Sequence, residues 1–346
     1  MLTYSTPFLY TALSVFGLQS YETAYWSYQL LSLACMVLAV GVLSRTLCLP
    51  TGTILAVFVF LMAWFEPLQS EVRVANVNRI RVALLALFCW VGGKRRGWSD
   101  DLLGGVVLGL GVAFKPDTAL VPLLWAWWLV ASRGFGRLYP MLSGCALGAA
   151  LAMAASLLLF DDPRCWIQWL NALSGIVGRL SPVPLGNFSP VALMLHETGK
   201  DPGWLLTPLF LLPAGIALWL AGRRTGAVRV SSPAVDSLMA VRIAGLGVLT
   251  YLLSARLVWL HYHVLALPAF LWTLHPAING PRTPGPSNRL RAGLGVAALA
   301  LAGSWTLFVF RDAYLVAASL CLEAALLYGL ILWDLGHGPR PTQSPP

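Results

Sequence analysis

The sequence is poor in charge. Only 11% of its 346 residues are Asp, Glu, Lys or Arg, while 58% are hydrophobic. Such a chain has too little polar surface to clothe a core in water, which excludes a soluble domain. Its apolar residues fall in long runs rather than in alternation, which excludes a closed barrel and leaves a helical membrane bundle. Cysteine is sparse as well. The six cysteines show no Cys-x-x-Cys spacing and mostly sit inside apolar runs. They give no disulfide framework and no metal motif, and no cofactor is expected. The first charged residue is Glu22, so no basic segment opens the chain and no cleavable leader is expected. The net charge of +9 does not argue for a nucleic-acid partner, because membrane proteins concentrate arginine on their cytoplasmic loops.

What the sequence does have is one apolar stretch, Gly104–Leu129, interrupted by Lys115, Pro116 and Asp117. A charge there costs a few kcal/mol, of order ~3, unless it reaches water, a partner or an anion. Pro116 removes a backbone donor and disfavours helical geometry at Lys115. Each flanking run is shorter than the roughly 20 residues that a comfortable span needs. The stretch is therefore one kinked helix or a hairpin of two short helices.

Charge placement favours the hairpin. With Lys94, Arg95 and Arg96 inside, a hairpin returns Arg133 and Arg137 to the same side. Alternation then gathers Arg45, Arg223, Arg224, Arg229, Arg242, Arg282, Arg289, Arg291 and Arg340 there, and leaves the outer side balanced. A single crossing would scatter them. On this reading the N-terminus and Lys115 lie outside. The other spans are read at Thr23–Leu43, Thr51–Trp64, Val77–Val91, Leu138–Phe160, Trp204–Ala221, Leu238–Leu253, Val258–Leu274, Leu294–Phe310 and Ala313–Trp333. Phe8–Leu18 is too short to cross and reads as interfacial or re-entrant. Asp161–Leu180 resembles an amphipathic surface helix. His275–Arg291 is a Pro/Gly/Arg linker. The expected fold is all-α, a polytopic membrane bundle of about 9–11 transmembrane or re-entrant helices. Residues 1–335 are expected to form one domain, and 336–346 a disordered cytoplasmic tail. Gly105 with Gly109, and Gly144 with Gly148, have the spacing that lets helices approach closely.

The unusual polar residues converge on the outer side: Glu66, Glu71, Asn76 and Asn78; Lys115 and Asp117; Asn187 and Ser189; Arg256, His261 and His263. Such a set suits a ligand with an anionic head and a polar body, for which lysine and arginine are good phosphate partners. Plainer roles stand beside these. Lys115 can snorkel from a helix end. Asp117 can serve as a local ion pair or cap. Ser189 before Pro190 is a good N-cap. Glu66 and Glu71 can lie in a solvated loop, and Arg73, Arg79 and Arg81 can meet lipid headgroups. His261 and His263 are two apart on a helix, so at most one would face a cavity, and with Trp259 and Tyr262 they can form an interfacial belt.

Several stretches match a family in order. Tyr4-Ser5-Thr6-Pro7 with Tyr25-Trp26 resembles the Y-P-P and A-x-x-L-W stretches of glycosyltransferase family 87, polytopic enzymes of the GT-C superfamily. Glu66-Pro67 and Ala75-Asn76-Val77-Asn78 resemble its F-x-P and G-Q-x-N segment. Gly104 to Lys115-Pro116 is similar to its G-x-x-x-G…K-P hairpin, and Asn187-Phe188-Ser189 to its N-Q-S loop. Ser254, Trp259, His261 and Tyr262 are similar to its S-P-x-x-W-x-H-Y segment.

The resemblance implies a hexosyltransferase, with mannose the sugar that many members are described as transferring. It implies a polyprenyl-phosphate sugar donor, a lipid or glycan acceptor, inversion at the anomeric carbon, and a bacterial plasma membrane with the site on its periplasmic face. A carboxylate would take the acceptor proton and a cation would steady the departing phosphate. Lys115 is the candidate cation. Asn76, Asn78, Asn187, Ser189, Arg256 and His261 are the further substrate-binding candidates, and no metal is expected. The family has a first helix, and an outer loop with the proposed catalytic carboxylate, ahead of the Y-P-P stretch. This sequence begins at that stretch, and the second proline and the Gly-Gln pair are replaced. An incomplete chain or a degenerate relative is therefore expected, with Glu71 or Glu66 as substitute base. Two other classes remain: a non-catalytic remnant, and a lipid or solute transporter. The second lacks a partner for its single broken helix.

Overall fold

A computed structural model describes residues 5–94, 97–177, 182–227, 233–279, 286–303, 306 and 311–337. Tyr4, Arg95, Arg96, the end of the 161–180 helix, residues 280–285 of the 275–291 linker, the end of the 294–310 span and most of the 336–346 tail lie outside them. The helices are α1 Pro7–Leu13, α2 Tyr21–Thr46, α3 Thr51–Trp64, α4 Glu66–Val74, α5 Asn78–Lys94 and α6 Trp98–Phe114, followed by α7 Leu120–Arg133, α8 Phe135–Phe160, α9 Cys165–Val177 and α10 Pro190–Thr198. The last are α11 Gly203–Ala227, α12 Pro233–Ser254, α13 Leu267–Asn279, α14 Pro286–Leu301 and α15 Ala313–His337. Among the described residues there is no strand, only an isolated bridge between Phe65 and Gly303. Among the described residues, five helices are long and apolar enough to cross a membrane: Tyr21–Thr46, Phe135–Phe160, Gly203–Gly226, Asp236–Ser254 and Ala313–His337. The molecule is an all-α membrane bundle.

The hairpin reading holds. Lys115 leaves α6 in an extended conformation, Pro116–Thr118 makes one 3-10 turn, and α7 runs back. Arg137 at the start of α8 pairs with Asp101 at the start of α6, and Arg133 at the end of α7 pairs with Asp236. Both ends of the hairpin therefore meet at one end of the bundle. Arg242 and Arg291 share Asp334 there too. Lys115 lies at the opposite end.

Two predicted spans differ. Val258–Leu274 is not one helix: Leu260–Ala266 is a 3-10 segment and α13 begins at Leu267. Pro268 lacks a backbone donor and its ring crowds the carbonyl four residues back, which disfavours an α-helix running through it from Leu260 and suits the first turn of α13. The span placed at Leu294–Phe310 starts earlier, at Pro286, and its helix ends at Leu301. Gly303 pairs its backbone with Phe65 instead of continuing a helix.

Helices α6 and α8 are in backbone contact. A methyl group at Gly105 would overlap the Met141 carbonyl, and one at Gly109 the Cys145 carbonyl. In return, Gly144 lies on the Leu102 carbonyl and Gly148 on that of Val106. The two spacings seen in the sequence are therefore two halves of one interlock, which fixes the hairpin's first arm. Gly41, with open space around it, makes no such contact. Gly109→Leu should lower the thermal unfolding midpoint in detergent by roughly 5 °C or more, as overpacking does, whereas Gly41→Ala should leave it nearly unchanged.

Candidate active site

The hairpin tip is held from two sides. Thr6 caps α1, accepting from the Leu9 amide, and its hydroxyl donates to the Phe114 carbonyl at 3.0 Å. The Y-P-P-like stretch thus abuts the residue before Lys115. Lys115 is 7% exposed. Its ammonium donates to the Tyr262 hydroxyl at 2.9 Å and lies 4.3 Å from that ring's centroid. An ammonium has three donors, so one such bond leaves two for an anion. Lys115 sits in the turn outside the spanning helices. Burial, aided by the nearby Arg81 charge, lowers its pKa to about 8, against the opposing pull of Asp117 and Glu71.

The wall beside it is built by the link between α4 and α5. Ala75 ends α4 in the left-handed region, at φ 49°. Glu71 then reaches across to the exposed amides at the start of α5. Its Oε1 accepts from the Asn78 amide at 2.6 Å and the Arg79 amide at 3.3 Å, and its Oε2 from Asn78 Nδ2 at 3.0 Å. A carboxylate at a helix N-terminus satisfies orphan donors and the helix dipole together. Burial pushes this carboxyl up to about 7, while the bonds from Arg79 and Asn78 pull the other way.

That link presents two asparagines to the 3-10 segment. Asn76 Nδ2 lies 2.8 Å from His261 Nε2, and Asn78 Nδ2 donates to the His261 carbonyl at 2.9 Å. Asn76 Oδ1 accepts from the Val77 amide, which leaves Nδ2 facing the imidazole. His261 Nε2 is then an acceptor and the ring is neutral. Helix α2 braces the link: Tyr28 donates to the Asn76 carbonyl and Gln29 to that of Val72.

Arg79 and Arg81 do not meet lipid headgroups, as the sequence had allowed. Both are buried. Arg79 donates to Gln29 at 2.6 Å, and Arg81 bridges Asn78 and Asp117. An unpartnered guanidinium is too costly to leave in an apolar interior, so each finds an acceptor. Asp117 thus has a long-range ion pair rather than a local one.

The structure therefore brings together Glu71, Asn76, Asn78, Lys115 and His261. Glu66 lies at the other end of α4, buried, with its Oε1 held by Arg73. Asn187 and Ser189 form a separate staple. Asn187 donates to the Arg256 carbonyl at 2.9 Å and accepts from the Val258 amide at 3.0 Å, while the Ser189 hydroxyl donates to the same Arg256 carbonyl at 3.2 Å. Ser189 also caps α10. Gly186, at φ 93°, lies against the Trp259 ring, where a Cβ would clash. This loop fixes the irregular chain that leads into His261 and Tyr262. The Arg256 side chain turns to Asp201 on the surface. The sequence places Tyr262 in a motif and offers it an interfacial belt, with no role at the site. Its signal was the aromatic hydroxyl flanked by two histidines.

The buried Arg81–Asp117 pair is expected to matter for folding. Asp117→Ala strands a buried guanidinium and should cost about 3–5 kcal/mol. Asp201→Ala breaks an exposed pair and should cost at most about 1 kcal/mol. Denaturation in detergent checks both.

Comparison with known proteins adds a family. An alpha-(1->3)-arabinofuranosyltransferase from Corynebacterium glutamicum is 30% identical over 229 residues, covering 56% of this chain and 51% of that protein. The chain spans about half the length of this curated relative. No solved structure matches it. The family model described as glycosyltransferase family 87 matches residues 3–254, from the capped turn at Thr6 through the hairpin to the end of α12. The chain belongs to glycosyltransferase family 87.

Proposed function

We propose that this chain is a membrane glycosyltransferase that takes its sugar from a polyprenyl phosphate. The observation that carries the reading is Lys115. Its ammonium is bonded to a phenol, with no carboxylate bonded to it among the described residues, and sits buried at the tip of the hairpin. In the reaction the acceptor oxygen bonds to the anomeric carbon as the bond from that carbon to the phosphate oxygen breaks, with inversion. The leaving phosphate carries the electron pair and Lys115 steadies it. A carboxylate takes the acceptor proton.

Glu71 suits that base poorly, since both its oxygens already hold amide donors. It belongs to the frame. Glu66 has one oxygen paired with Arg73 and the other not bonded to an amide, but it lies outside the cluster around Lys115, so it is the base only where the acceptor reaches it and no upstream carboxylate supplies the role. Asn76, Asn78 and neutral His261 face the sugar hydroxyls or hold the wall that does. Asn187 and Ser189 act at one remove, through the 256–259 backbone. The apolar groove of about 510 Å³ between α3, α13 and α14, lined by Phe60, Leu267 and Phe270 among others, supports a donor carried on a lipid.

The arginine-rich end is the cytoplasmic one and Lys115 faces the periplasm of a bacterial plasma membrane. The acceptor is a lipid or a glycan, and the transferred sugar is a hexose, mannose first. The arabinofuranosyltransferase likeness favours a second reading, a pentofuranose.

Transfer from radiolabelled polyprenyl-phosphate mannose and polyprenyl-phosphate arabinofuranose into membrane lipid tests this. Lys115→Ala should lower kcat by about 10²–10³-fold; unchanged transfer would discard the phosphate role. The pH dependence has a definite sign. Lys115 is charged below its pKa, so kcat/KM should fall as pH rises through about 8. In Lys115→Arg that alkaline limb should move to higher pH.

A further inference from the structure

Three consecutive residues of the 3-10 segment Leu260–Ala266 reach three different walls. A 3-10 helix turns about 120° per residue, and the partners follow that rotation. His261 meets Asn76 of the α4–α5 link and Tyr262 meets Lys115 of the hairpin. His263 meets Glu323 of α15, with Nδ1 to Oε2 at 2.6 Å. The first two contacts build the site. The third is buried on the far side of the segment, with His263 at 1% exposure and Glu323 at 0%. Among the described residues, His263 Nε2 and Glu323 Oε1 have no hydrogen-bond partner.

Burying this pair with two polar atoms unsatisfied is expensive, and well-packed apolar residues of similar volume are often as stable or more so. The pair therefore adds direction rather than stability. Its bond is made at one ring atom and one carboxylate oxygen, so it fixes the rotation of the segment as apolar packing does not.

We propose that Glu323 is a positioning residue. Acting through His263, it holds the 260–266 segment in the rotation that delivers Tyr262 to Lys115 and His261 to Asn76. The part of this inference that concerns transfer rests on the function proposed above. The geometric part does not. Glu323 lies beyond the stretch that the family model matches.

The test uses the full chain in nanodiscs. Hydrogen exchange over residues 260–266 needs no substrate. It should speed up by about tenfold in Glu323→Ala, with α9 unchanged, and return towards wild type in Glu323→Gln, whose amide oxygen still accepts from Nδ1. Equal exchange in wild type and Glu323→Ala would overturn the proposal.

Transfer kinetics give the second readout. Glu323→Ala should lower kcat by about tenfold in the wild-type background and less than about twofold in Tyr262→Phe, because both changes act through one contact. Equal losses in both backgrounds would overturn the coupling. His263→Phe/Glu323→Leu replaces the whole pair with apolar groups, and serves where Glu323→Ala does not fold. It should keep its thermal midpoint and lose transfer. Retention of both would show a packing role alone and overturn the proposal. If wild type moves no sugar from either polyprenyl phosphate, the donor assignment fails, and the exchange result still decides the positioning role.

Discussion

The carboxylate of Glu71 at the start of α5 is the interaction on which the rest of this end of the molecule depends. It occupies the amides of Asn78 and Arg79 and the side chain of Asn78 at once. In doing so it sets the angle at which the chain turns from α4 into α5. Asn76 and Asn78 then face His261, and Arg79 and Arg81 enter the interior beside Gln29 and Asp117. Each of these groups would be expensive to bury alone. Together they pair with one another, although Arg79 Nε and Arg81 Nε find no hydrogen-bond partner among the described residues, and buried polar pairs of this kind favour one arrangement over others.

The hairpin is the second constraint. Its first arm is locked to α8 by backbone contact through four glycines, and its tip is held by Thr6 and Tyr262. The ammonium of Lys115 is thereby fixed in place before any ligand arrives. A charge so held does not have to be reorganised when a second charge develops beside it, which is the usual source of electrostatic rate enhancement.

Much of this was legible in the chain itself. Charge counting gave the hairpin, because a wrong crossing number would have scattered the arginines. Glycine spacing gave the α6–α8 contact, though not that the two pairs face each other. The convergence of Asn76, Asn78, Lys115 and His261 at one end followed from the same alternation. What could not be read were partners far apart in sequence. Arg81 and Asp117 are separated by two helices, and nothing local distinguishes a buried arginine from one at a headgroup. Asn187, a substrate-binding candidate in the sequence, holds the backbone at Arg256 and Val258, contacts 69 and 71 positions away. The 3-10 segment was hidden because its apolar period resembles that of an α-helix until Pro268 is weighed. The bond from His263 to Glu323 spans 60 positions, and no periodicity announces it.

The hairpin's short arms have one more consequence. The second arm, α7, has 14 residues. At 1.5 Å per residue it covers roughly 21 Å, against a hydrocarbon layer of about 30 Å. Lipid beside it must thin or dimple to avoid leaving acyl chains against polar ends, at a cost of fractions of a kcal/mol per Å of mismatch. The headgroup plane would thus dip beside the hairpin tip, and on the function proposed above a carrier lipid would reach Lys115 by moving sideways through that depression.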